Sequence, residues 1–266
     1  MDASEQIKEV IRDVFFLIGK GKKEKAMIQI EKAINLTKSI SSEYLKPYVL
    51  NEIAQAFLKL DKTQEAINVV HEAINIANEI VFTASRLEIL LEIAKSMSEI
   101  SSEIQNEQIL QETLEIAKKI LANITERPHI DIARQVAVIL RNIVNTAENL
   151  PILNEILVIS EQLDDKDYCM MLMRNIASRL SEICKNTRDT STINDAFNLV
   201  NQIKSTNYRS KAIAKIARNI TKTAERTLDS NLINSALEIT DHIPSEYYRS
   251  KIKSKLLILK DKAATN

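Results

Sequence analysis

The sequence predicts an all-α protein: an α-α superhelix of about six 40-residue helix-pair repeats plus a final helix. One apolar-striped segment recurs six times at near-constant spacing, and a second apolar pair recurs at the same spacing. The 266 residues also hold only 2 Gly and 4 Pro, the two types that break helices. Many short strands would need more turn glycines than that.

The first segment is clearest as Ala73-Ile-Asn-Ile-Ala-Asn-Glu-Ile80, one and a half turns of helix with one apolar face. Related segments start at positions 33, 113, 156, 196 and 236, so the step is 40 residues except for one step of 43. The apolar pair is Ile53-Ala54, then Ile93-Ala94, Val136-Ala137, Ile176-Ala177, Ile216-Ala217 and Leu256-Leu257. Its steps place the three extra residues around Leu121–His129, a loop in which Pro128 is suited to open the next helix.

Each repeat therefore contains an A helix, marked by the apolar pair, and a B helix, marked by the longer segment. Gly19-Lys-Gly21 and Asp61-Lys-Thr63 read as A-to-B turns. Ser41-Ser-Glu43, Asp164-Asp-Lys166, Ser205-Thr-Asn207 and Pro244-Ser-Glu246 read as B-to-A turns, rich in side chains that accept the free N–H groups of a helix start. The expected total is seven A helices and six B helices, in one helical repeat domain covering residues 1–266. A single helix pair cannot bury its own apolar stripe, but stacking on the next pair can. Ala54, Ala94, Ala137, Ala177 and Ala217 would admit a neighbouring backbone closely. The first A helix has Asp13-Val14 in the place of the Ile-Ala pair, as expected of a terminal repeat whose outer face has no neighbour.

Ala54, Phe57, Ala66, Val70 and Ala73 are spaced by 3, 9, 4 and 3, and Val14, Leu17, Ala26, Ile30 and Ala33 fit the same frame. This pattern resembles the small/aromatic/Ala core of the tetratricopeptide repeat, most closely over residues 1 to about 80. Later A-to-B segments, such as Ile216–Ser230, keep the outer positions and lose the central Ala. The 40-residue period exceeds the roughly 34 usual for that family. The Trp-Leu-Gly signature and the closing Pro are also absent. HEAT-like repeats, with a similar period, are the structural alternative. The resemblance implies protein or peptide binding in a concave groove lined by A helices, and it carries over no particular residue.

Composition is 45% hydrophobic and 27% charged, which excludes a disordered chain. The apolar run Val14–Ile18 is far short of the roughly 20 residues a membrane span needs, so no membrane role is expected. The polar, mixed-charge start is unlike a signal peptide and points to a cytoplasmic protein. The Asn-x-Thr matches at Asn35, Asn123 and Asn219 then read as chance. Cys169 and Cys184 are too few for a disulfide framework; on one helix they would lie about 22 Å apart, too far to bridge.

Signs of catalysis are sparse. His71, His129 and His242 lie on a B helix, in the inserted loop and at the end of another B helix, without metal-ligand spacing. Gly19 and Gly21 suit a tight turn better than a phosphate loop, and Asp164–Asp167 suits a helix start better than a calcium loop. No cofactor, metal or catalytic residue is assigned, and a non-enzymatic scaffold is expected.

Net charge is zero, yet residues 61–130 hold 6 basic against 12 acidic side chains, and residues 201–266 hold 13 against 6. Tyr208-Arg-Ser-Lys211 recurs identically as Tyr248-Arg-Ser-Lys251. Lys211, Lys215, Arg218 and Lys222 share one helix face by their spacing, and Lys251, Lys255 and Lys262 repeat it. With Arg209 and Arg249 they form a candidate basic ladder, equally explicable as a solvated face. As a site it would take an acidic protein surface first. Nucleic acid ranks lower, because the ladder has few interleaved aromatics and the chain has no Trp. Self-association between the acidic middle and the basic end is a further option. So is an enzyme whose site is assembled across repeats.

Overall fold

In a computed structural model of the chain, the structure describes residues 3–123, 130–163 and 165–264. The described residues form thirteen α-helices and no strand, alternating A and B as the repeat predicts. Residues 124–129, where the insertion falls, lie outside the described residues, as do His129 and Asp164. Two compact units divide the chain at 146/147.

The N-terminal unit contains α1 (Ala3–Gly19), α2 (Lys23–Thr37), α3 (Leu45–Lys59), α4 (Thr63–Glu79), α5 (Thr83–Ile104), α6 (Glu107–Ala122) and α7 (Ile130–Thr146). The A helices α1, α3 and α5 each pack on the B helix that follows, and α1, α3, α5 and α7 pack in succession on one another. Burial follows the stripe: Ile53, Ala54, Ile93, Ala94, Val136 and Ala137 are all fully buried. At the first repeat Val14 is buried while Asp13 is exposed, consistent with an outer face that meets water. Polar bonds one repeat apart stitch neighbouring A helices. Gln55 Nε2 donates to Ser96 Oγ (2.8 Å), Asn51 Nδ2 to the Glu92 carbonyl (3.4 Å) and Asn142 Nδ2 to Ser98 Oγ (3.3 Å). Because these groups are partly buried, each bond also spares a desolvated dipole.

The C-terminal unit contains α8 (Leu150–Ser160), α9 (Lys166–Asn186), α10 (Thr190–Gln202), α11 (Thr206–Thr227), α12 (Ser230–Asp241) and α13 (Glu246–Ala264). Here α9, α11 and α13 form the A row, and α8, α10 and α12 form the B row. Ile176, Ile216, Ala217 and Leu256 are fully buried, and Asn219 Nδ2 donates to the Ser181 carbonyl at 2.7 Å across the A row.

One feature of the turns departs from strict repetition. In the first two pairs the B helix is entered from Lys22 and Lys62, nine residues after Asp13 and Ile53. In the next four the N-caps are Asn106, Asn149, Asp189 and Asp229, thirteen residues after Ile93, Val136, Ile176 and Ile216. The A helix has gained one turn and the B helix starts one turn later. Left-handed residues move with it: Gly21 (φ 69°) and Asp61 (φ 62°) end the early A helices, whereas Gln105 (φ 50°) and Leu228 (φ 52°) end two of the longer ones. The buried Ala26 and Ala66 of the early pairs therefore correspond to Asn or Asp N-caps later. Three of those caps accept backbone N–H bonds: Asn106 from Ile109, Asp189 from Ser191 and Thr192, and Asp229 from Asn231 and Leu232.

Candidate functional site

The Tyr-Arg-Ser-Lys repeat opens α11 and α13, and its arginine turns back toward the preceding loop. Arg209 Nη1 donates to the Ile203 carbonyl (3.3 Å) and Arg249 Nη1 to the Ile243 carbonyl (3.4 Å). Arg86 does the same to Ile80 (3.4 Å), three repeats earlier. Each acceptor isoleucine is buried and lies at the C-cap of a B helix or, for Ile243, one residue past it, so these arginines fasten the B-to-A turn. That is a structural use of two residues grouped by sequence with the ladder.

The other cations gather around two clefts of the A row. The first, of about 190 Å³, lies between α9 and α11, where Arg174, Ala177 and Ser178 face Tyr208, Lys211, Ala212 and Lys215. The second, of about 210 Å³, lies between α11 and α13, where Arg218, Thr221 and Lys222 face Tyr248, Lys251, Ile252 and Lys255. The second wall of one cleft repeats that of the other forty residues on: Tyr208/Tyr248, Lys211/Lys251, Ala212/Ile252 and Lys215/Lys255. Lys262 sits in the last turn of α13, outside both linings.

Within each cleft some cations are engaged and others are not. Lys215 Nζ donates to Ser178 Oγ at 3.1 Å, and Lys255 is ion-paired with Glu225. Arg218 donates to the Ala214 carbonyl and stands 5.8 Å over the Tyr248 ring, a cation–π arrangement. Among the described residues, no acidic partner is found for Arg174 and Lys211 in the first cleft, or for Lys222 and Lys251 in the second. All four are exposed, so each cleft keeps two cations in water beside an apolar floor and a tyrosine. Sequence spacing predicted the lysines and noted the tyrosines, but it missed Arg174, Ser178 and Thr221, which come from the preceding A helix. The signal that could have found them is the A-to-A stacking at one repeat's separation.

The same A-helix places carry the opposite sign on α5, whereas on α1 they hold Lys8 and Arg12. Glu88 and Glu92 of α5 hold the places of Lys211 and Lys215, and Tyr48 and Glu52 of α3 hold them one repeat earlier. Partial desolvation, then the charges of Glu88 and Glu92, push the Tyr48 phenol up. Partial desolvation also raises the Glu52 carboxyl, opposed by Lys8.

Elsewhere the titratable groups do not converge. Among the described residues no group of three or more His, Cys, Asp or Glu side chains is placed to hold a metal ion. His71 Nε2 lies 2.7 Å from Glu112 Oε2 between α4 and α6, and the His242 ring packs 5.1 Å from Phe197. Cys169 and Cys184 both lie on α9, and burial pushes the Cys184 thiol up to about 12. Asp165 caps α9 by accepting from the N–H groups of Asp167 and Tyr168, which gives this acidic turn a helix-start role. No helix among the described residues is long and apolar enough to cross a membrane.

No family profile and no curated protein matches the chain. Solved structures that resemble it include Ton1535 from Thermococcus onnurineus NA1, 14% identical over 96% of this chain and 80% of that one, with a TM-score of 0.40. The nearly identical TPR-like repeats of a candidate kinesin light chain from Podosopora anserina are 14% identical over 77% of this chain and 100% of that one (TM-score 0.43). A signal-transduction ATPase with a tetratricopeptide repeat sensor, from Pyrococcus horikoshii, is 12% identical over 98% of this chain and 44% of that one (TM-score 0.39). Alternating helix pairs, a buried Ile-Ala seam and A-on-A stacking within each unit make this chain an all-α protein of stacked helix-pair repeats.

Proposed function

We propose that the chain is a non-enzymatic scaffold whose A-helix face holds another protein or peptide, and that its C-terminal unit takes an acidic segment of that partner. The observation that carries this is the recurrence of one cleft, built of a tyrosine, lysines and an apolar floor, at places forty residues apart. Like charges kept side by side in water oppose the compact state, and an acidic ligand would relieve that repulsion. The clefts are small and floored by Ala177, Ala212 and Ile252, dimensions that suit a side chain rather than a stack of bases. Arg218 over the Tyr248 ring further reduces the face open to a base.

A second occupant is another copy of this chain, because Glu88 and Glu92 occupy on α5 the places that lysines occupy on α11. Sedimentation at low and high salt tests it: a salt-sensitive dimer supports self-association, and a salt-independent monomer excludes it. The peptide reading is tested by anisotropy titration of a short labelled glutamate-rich peptide against the full chain. Binding should weaken steeply with salt and be lost in Lys211→Glu/Lys251→Glu. Tighter binding of a single-stranded oligonucleotide than of the peptide would assign the face to nucleic acid instead.

A further inference from the structure

The two clefts share α11 as their common wall, with Lys211 and Tyr208 facing one side and Lys222 and Arg218 the other. We infer that they work as one bipartite site for a peptide in the polyproline II conformation carrying acidic side chains at positions i and i+3, an inference that presupposes acidic-peptide binding by the C-terminal unit. Equivalent points on successive packed helices are separated by about 8–10 Å. A polyproline II chain rises about 3.1 Å per residue with three residues per turn, so side chains i and i+3 point the same way about 9 Å apart. A β-strand cannot match this spacing. Its same-face side chains i and i+2 are only about 6.6 Å apart, i and i+4 about 13 Å, and i and i+3 point to opposite faces. A helical peptide puts i and i+3 within about 5–6 Å, too close to span the α11 ridge, and nears the spacing only at i and i+7, about 10.5 Å apart, so an i,i+3 pair selects polyproline II.

Charge agrees with this division. Each cleft retains two exposed cations without an acidic partner among the described residues, Arg174 and Lys211 in one, Lys222 and Lys251 in the other. One carboxylate per cleft would satisfy them. The remaining cations are already held by Ser178, Glu225 and Tyr248, which fix the cleft walls before a ligand arrives. A polyproline II ligand has no internal hydrogen bonds to break and loses little conformational entropy on docking.

The test uses the full chain and three labelled proline-rich peptides of equal length and charge, with two glutamates at i,i+2, i,i+3 or i,i+4, and a fourth of the same length with one glutamate. The i,i+3 peptide should bind about two- to fivefold tighter than the single-glutamate peptide, the gain expected of a second exposed ion pair. Lys211→Glu and Lys251→Glu should each reduce it to the single-glutamate level. Thermal melts of both variants should match the parent, since both side chains are exposed. Equal binding of the three spacings would overturn the bipartite site while leaving the acidic-peptide surface intact. Failure of every acidic peptide to bind would overturn both.

Discussion

Ile176 gives the strongest test of the stacking. It lies on α9 with no exposed surface, as do its counterparts Ile53, Ile93 and Ile216. Ile176→Ala removes three buried carbons, about 2.4 kcal/mol at roughly 0.8 kcal/mol each. The cavity left between packed helices adds to that, giving a total of about 2–5 kcal/mol. Leu257→Ala is the contrast. Leu257 holds on α13 the place of the fully buried Ala217 on α11, yet it is 48% exposed. Losing the same three carbons there should cost about 1 kcal/mol. Lys215→Ala, which gives up one bond to Ser178, should stay within about 0.5 kcal/mol. The measurement is urea unfolding of the full chain by circular dichroism, with hydrogen exchange at α9, because repeat arrays can open locally before they unfold globally. If Ile176→Ala proved no more costly than Leu257→Ala, the assigned buried face would be wrong.

Three further outcomes follow from the caps, the surface pairs and the thiols. Asp229→Ala removes the acceptor for the N–H groups of Asn231 and Leu232 and should destabilise the chain by about 1 kcal/mol in the same assay, whereas Asp229→Asn should be nearly neutral. The Lys23 ammonium, bonded to Asp61 at 2.7 Å, holds that carboxyl below the usual carboxylate range. A depressed folded value means the pair's contribution is present above the ordinary carboxylate pKa and lost as pH falls through the lower, folded one. Lys23→Met should return Asp61 to the ordinary range in a carboxyl NMR titration, and an unchanged titration would refute the pairing. With Cys184 buried and its thiol pushed up to about 12, Ellman's reagent at mildly alkaline pH should titrate Cys169 alone in the folded chain. Rapid reaction of two thiols would show that α9 is not packed as described.

The repeat was legible because it is written in apolar residues whose spacing is a direct consequence of helix geometry. Ile-Ala pairs forty residues apart had to fall on equivalent faces, and they did so on α3, α5, α9 and α11. The alternation of seven A and six B helices followed from the same spacing. The delayed B helices were not legible, for an equally physical reason. A change of four residues is close to one turn, so it leaves the apolar stripe on the same face and alters no periodicity. Its trace in the sequence is the replacement of Ala26 and Ala66 by Asn106, Asn149, Asp189 and Asp229, which by spacing alone reads as loss of the tetratricopeptide-like core. With the caps in view, the substitution has a cause: a buried wall residue became a helix start, where a small side chain is no longer needed and a hydrogen-bond acceptor is. The basic ladder divides in the same way. Spacing placed Lys211, Lys215, Lys251 and Lys255 on one face, but it could not separate Arg209 and Arg249, whose reach of six residues back to a buried carbonyl depends on the turn. A repeated cation is therefore evidence for a ligand only after its contacts within the fold, to backbone or side chain, have been removed, and Lys211, Lys222 and Lys251 are what remains of the predicted ladder to carry that case.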